Sequence, residues 1–269
     1  MKRRDLLRLT GVAATAGLAG CGSVGDGSEP SSEEHKQHLS QMAWPRIASQ
    51  VDGWTETNRQ AAYLGQTAGI DTYQKTILLE NTAVREEIKA KTNGRFDQKL
   101  GQFFATHIDL EGLTTSLANE SKIADEVAPQ IQSRMKQAGI NDVHSGEVTS
   151  PVPATDGETR EFVGHYKTPA IEQTADIDGI GERTVRFPSM KLPVRGFATV
   201  WKIDSGVAFA SGGVVPDDDY EGSSRTSITS EEGDGIDLVV EADMNIPFNR
   251  MRREVVKMAE SVERGSTSS

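Results

Sequence analysis

The chain of 269 residues has a single cysteine, Cys21. One thiol excludes an internal disulfide, so stability must come from the core or from solution conditions. Long apolar runs are also missing. The uncharged stretch Leu9 to Gly20 has twelve residues. As a helix it rises about 18 Å, well short of the ~30 Å hydrocarbon core, which excludes a spanning helix there. Basic charge is scarce: 29 Lys and Arg face 40 Asp and Glu, for a net charge of −11. Such a field repels nucleic acid and anionic lipid surfaces. The usual catalytic strings are absent: there is no G-x-S-x-G, no H-E-x-x-H, no C-x-x-C and no Walker-type phosphate loop. No internal repeat is found either.

What is present begins at the front. Lys2, Arg3, Arg4 and Arg8 make the start basic, and a short run of small apolar residues follows. This is the pattern of a removable export signal. Arg3-Arg4 followed by Leu6, Leu7 and Arg8 resembles a twin-arginine signal, with Lys2 before the pair and Leu6 where Phe is commonest. Leu18-Ala19-Gly20-Cys21 resembles a lipobox. That resemblance implies cleavage before Cys21 and a lipid on its sulfur. The expected location is therefore extracytoplasmic, anchored to the cell membrane through Cys21. Lys2, Arg3, Arg4 and Arg8 against Asp5 put +3 in the first twenty residues, leaving −14 from Cys21 onward. Lysine is sparse, 12 against 17 Arg. With the arginine-pair signal, this composition resembles the secreted lipoproteins of halophilic archaea. The resemblance covers the signal region only.

The expected organisation is an export signal over 1–20, a flexible linker over 21–43, one domain over 44–264 and a disordered tail over 265–269. The linker reading rests on GSVGDGSEPSSEEHKQHLSQ, rich in Gly, Ser and Glu and poor in apolar residues. Two strands are expected between Arg59 and Glu80, with Tyr73, Ile77 and Leu79 on one face. Val84 and Ile88 then mark a helix, with Glu87 and Lys91 spaced to pair and Asn93-Gly94 to end it. The stretch FFATHIDL alternates again. Ile123, Val127, Ile131 and Met135 form a helical stripe that runs through Pro129, with Gly139 as its cap. Strands are expected around VHSGEVTSPV and REFVGHYKT. Residues 172 to 194 read as irregular, apart from RTVRF. The clearest hairpin is RGFATVWKIDSGVAFASGGVV, turning at Asp204-Ser205-Gly206. An acidic loop is expected over 216 to 235, then a strand at IDLVVEA. Pro247 opens a last helix whose stripe is Phe248, Met251, Val255, Met258 and Val262. Core packing is its favoured role. Short turns between strands imply an antiparallel sheet, and helices on one of its faces give an α+β domain with about three helices.

Candidate sites are few. His107, His144 and His165 all fall in expected strands, and nothing in their spacing requires convergence on a metal. Asp217, Asp219, Glu221 and Gly222 spell the first half of a calcium loop, but Ile228 occupies the place of the closing Glu and Ser224 the apolar position. A solvated acidic turn is the expectation there. Gly179-Ile180-Gly181 lacks the third glycine of a dinucleotide fingerprint and reads as a loop. Asn119-Glu120-Ser121 is a glycosylation sequon, and Asn119 also suits a helix cap. The cap is favoured, with Asn119 kept as a candidate glycosylation site. No catalytic, metal or cofactor residue is assigned. The functional expectation is a non-catalytic binding or interaction module on a lipid tether. The alternative is an extracytoplasmic hydrolase without a sequence motif.

Overall fold

The alternating stretches build a sheet of seven strands. The computed structural model describes residues 32–67, 70–112, 119–149, 151–177, 181–219, 221–229 and 235–265. The chain begins with helix α1 (Ser32–Gln41) and strands β1 (Pro45–Ile47), β2 (Trp54–Thr67) and β3 (Ile70–Asn81). Next come α2 (Thr82–Lys91), β4 (Gln102–Glu111), α3 (Glu120–Gln137), β5 (Ile140–Gly146) and β6 (Glu158–Lys167). β7 (Ile171–Ile177), β8 (Gly181–Phe187), β9 (Lys191–Lys202) and β10 (Val207–Pro216) follow. The last elements are β11 (Glu221–Thr229), β12 (Gly235–Asp243), α4 (Phe248–Glu260) and β13 (Val262–Arg264). The large sheet has the order β2-β3-β4-β10-β9-β6-β5 and is antiparallel throughout. β1 pairs with β13, β7 with β8 and β11 with β12. The class is α+β as expected, with four helices among the described residues, close to the expected number of about three.

Local signals explain the helix ends. The Asn81 side chain accepts from the Val84 amide and starts α2; Asn93 and Gly94 take positive φ just past its end. Asn119 Oδ1 accepts from the Lys122 amide at 2.9 Å and starts α3, satisfying a backbone donor that the helix itself cannot. α3 runs through Pro129 and ends before Gly139, whose φ of +87° is costly for any other residue.

The helices divide between two faces of the sheet, which corrects the one-face expectation. Opposed residues in an antiparallel ladder share a face. Phe104, Thr106, Ile108 and Leu110 therefore lie with Leu78, Ala208, Ala210 and Val200. Ile123 and Ala124 of α3 cover this set. His107, Phe209, Trp201, Ser211 and Gly213 point the other way. α4 packs there: Val255 would lie 2.8 Å from a Cβ placed at Gly213, so only glycine lets the helix sit this close. The five α4 positions Met251, Val255, Val256, Met258 and Ala259 are buried. Val262 continues the apolar stripe from β13, not from the helix.

Three further expectations are corrected. The linker does not extend to residue 43, because Ser32–Gln41 is helical and docks on the sheet. Residues 172 to 194 are not irregular: β7 and β8 form a hairpin in register from Ile171↔Phe187 to Ile177↔Gly181. The acidic loop is shorter than 216 to 235, since β11 occupies 221–229 and pairs with β12. No described helix is long and apolar enough to cross a membrane.

Candidate functional site

The face that carries α4 is also hollowed at its β2–β3 edge. The cleft has a volume of about 670 Å³ and is lined by Trp44, Arg46, Val51, Trp54, Arg59, Ile77 and Met258, among others. Three elements make it. β1 is held by β13, with Ile47 opposite Val262 and the Gly265 amide bonded to the Trp44 carbonyl. β2 is the edge strand, so its Trp54 and Arg59 face open space on one side. α4 supplies the floor through Met258, which is fully buried.

Two indoles flank the hollow, and each is held by a neighbour. Trp54 Nε1 donates to Glu254 Oε2 at 2.9 Å. Trp44 has the Arg59 guanidinium 5.4 Å and the Lys75 ammonium 4.9 Å from its ring centre, within cation–π range. Lys75 is buried and donates to the Met42 carbonyl at 2.7 Å; burial pushes its pKa down. Arg59 grips Glu56 with two nitrogens, at 2.5 and 2.9 Å, which raises its pKa. Arg46 pairs with Glu263 at 2.8 Å. The walls of the cleft are therefore aromatic and polar, with Arg46 and Arg59 each paired to a carboxylate inside the protein.

The residues singled out in the sequence lie elsewhere. Arg3, Arg4 and Cys21 fall outside the described residues. His107, His144 and His165 do not converge. His107 is central, on β4, and fully buried; its Nδ1 donates to the Ala43 carbonyl at 2.8 Å. His144 Nδ1 lies 2.7 Å from the Asp142 carbonyl, and His165 Nδ1 3.5 Å from the Asp142 carboxylate. Among the described residues no group of His, Cys, Asp and Glu is placed to hold a metal ion. Asp217 is half-buried and ion-paired: Arg195 holds it through Nε at 2.9 Å and Nη2 at 2.8 Å, with Arg252 at 3.7 Å. Both guanidiniums also reach the buried Glu161, at 2.8 and 3.4 Å. Asp219 accepts from the Ile246 amide, and Glu221 opens β11. The half calcium motif is thus split between an ion-pair network, a loop contact and a strand.

Sequence reasoning missed Trp44, Trp54 and Arg59. Trp44 enters the sequence analysis only as the first position of the domain expected over 44–264. The available signal was two of three tryptophans placed ten residues apart, in a chain only 6% aromatic. Compared with family models, curated proteins and solved structures, the chain matches none.

Proposed function

We propose that the protein is a non-catalytic binding module held at the outer surface of the cell membrane by lipid on Cys21, with the Trp44–Trp54 cleft as its recognition site. The signal-like start and the Gly/Ser-rich segment before Ser32 support the tether. The observation that carries the binding reading is the cleft itself: two indoles beside two guanidiniums that already have carboxylate partners. Ligand sites generally combine aromatic walls with a few fixed polar groups. Guanidiniums already engaged by carboxylates favour an uncharged ligand with apolar faces and hydroxyl edges, the chemistry of a sugar chain. The hydrolase alternative calls for a histidine joined to a carboxylate and a hydroxyl in a cleft. His38 does meet Asp109 and Glu111, each at 3.1 Å, but it does so as the seat of α1.

Two measurements test the proposal. Tryptophan fluorescence, titrated with a panel of neutral oligosaccharides, should shift in the wild type and stay flat in Trp54→Ala. If no member of the panel moves the spectrum, the sugar reading is lost. Separately, Cys21→Ser should leave the membrane fraction or stop processing; a Ser variant that stays equally membrane-bound overturns the anchor.

A further inference from the structure

We propose that the hollow between α3 and strands β3 and β4 is a second binding site, for a small apolar monocarboxylate whose charge is held by Arg134. It lies on the opposite face of the sheet from the tryptophan cleft and does not depend on it.

α3 packs on β9, β6 and β5. The sheet beyond them is left open beside the helix, and a hollow of about 220 Å³ forms there. Phe104 and Leu78 make its floor, Ile131 its wall and Val214 its far side. Arg134 is three residues after Ile131, so it stands at the edge of the apolar stripe and leans into the same space. No carboxylate or carbonyl of the described residues accepts from its guanidinium. Burial alone pushes its pKa down, to about 9, with no anion to offset the loss of hydration.

The neighbouring carboxylate does not serve it. Glu80 also lines the hollow but is taken by Arg85 at 3.0 Å and Lys99 at 3.6 Å. Arg85 is shared with Asp97, but of the charged residues that line the hollow two, Lys99 and Arg134, are cations and only Glu80 is an anion. The hollow as a whole therefore carries a positive surplus in a chain of net −11. An unpaired, partly desolvated cation is unfavourable, and an incoming carboxylate would remove that penalty with a two-pronged hydrogen bond. The apolar walls set the remainder of the ligand. A dry cavity of about 150 Å³ takes a benzene ring. A somewhat larger one suits one ring and a short chain ending in the carboxylate.

The probe is 3-phenylpropanoate, titrated into the full protein by calorimetry, with 3-phenylpropanol as the uncharged control. The acid should bind the wild type well below the millimolar range and bind Arg134→Met at least about tenfold more weakly, a step of ~1.4 kcal/mol. The alcohol should bind weakly and equally to both. Ligand-free Arg134→Met should melt no lower than the wild type, because it removes a charge that nothing pairs. Ala138→Leu, which fills the hollow and keeps the charge, should block the acid as well. The proposal is overturned if the acid fails to bind, if the alcohol binds as tightly, or if either variant binds the acid as the wild type does. A lower melting point for ligand-free Arg134→Met would also overturn it, since the guanidinium would then have a structural partner.

Discussion

His107 shows how one side chain can be both polar and part of a core. Its ring stacks on Phe209 with centroids 4.9 Å apart and planes within 5°. Nδ1 donates to Ala43, while Nε2 is buried and meets no described partner. Burial holds its pKa below the ordinary 6.5. The native ring is neutral, and the unfolded chain takes a proton more readily. Stability is therefore full above about pH 6.5 and falls as acid protonates the unfolded state. Urea midpoints measured from pH 7.5 to 5 should drop, and His107→Gln should flatten that part of the curve. An unchanged slope would mean that other groups set the acid response. Glu161 behaves differently: it is nearly inaccessible, yet Thr149, Arg195 and Arg252 surround it. Glu161→Gln leaves Arg252 and Arg195 short of one charge, and a cost of about 3–5 kcal/mol in urea unfolding is expected. At this scale the sequence was partly legible. Asn119 was readable as a cap because its role is local. Trp54, Arg134 and Glu161 were not, because their settings are made by residues far away in the chain.

Among the elements, those legible in advance were the ones that bury an apolar face. β3, β4, β9 and β10 are rich in apolar residues and buried on both faces over their middles, and α3 and α4 carry continuous stripes. α1 has no such stripe: SEEHKQHLSQ is polar apart from Leu39, and it docks by chemistry that periodicity does not register. His35 stacks on Tyr63 at 3.7 Å, and His38 stacks on Tyr73 at 4.0 Å while reaching Asp109 and Glu111. His38→Ala should release α1. Amide exchange over residues 32–41 should then rise sharply while global unfolding moves by less than about 1 kcal/mol. A fully protected α1 in that variant would show that His35 alone suffices. β7 and β11 escaped notice for a related reason, while β8 was legible only in RTVRF. They pair only with a neighbouring hairpin strand, so no register with the large sheet disciplines their composition. The α4 assignment can be tested directly. Met251 is fully buried, and truncating such a residue in a core costs roughly 2–5 kcal/mol. Met251→Ala should lower the unfolding midpoint without changing light scattering. Unchanged monomer stability together with loss of a larger assembly would move this face from core to interface.

For the whole molecule the governing quantity is charge. The net is −11, and −14 from Cys21 onward. Several of the cations are committed to internal networks: Arg195 and Arg252 to Glu161 and Asp217, Arg85 to Glu80 and Asp97. They do little to neutralise carboxylates elsewhere on the surface, so the folded state concentrates negative charge that the unfolded chain would spread out. Salt acts on two opposing terms. It weakens the exposed ion pairs, each worth about 0–1 kcal/mol. It also screens the repulsion among all unpaired carboxylates, over about 10 Å at 0.1 M and 3 Å at 1 M. The second term involves many more pairs, and the partly buried networks are screened least. Melting temperature should therefore rise between 0.1 and 1 M NaCl. Sucrose at matched osmolality separates screening from general exclusion of solute, which also stabilises compact states. A larger rise in NaCl than in sucrose supports screening, and with it the halophilic reading of the composition. A flat or falling curve in NaCl removes that reading, because the surplus of acid would then carry no stability cost for salt to relieve.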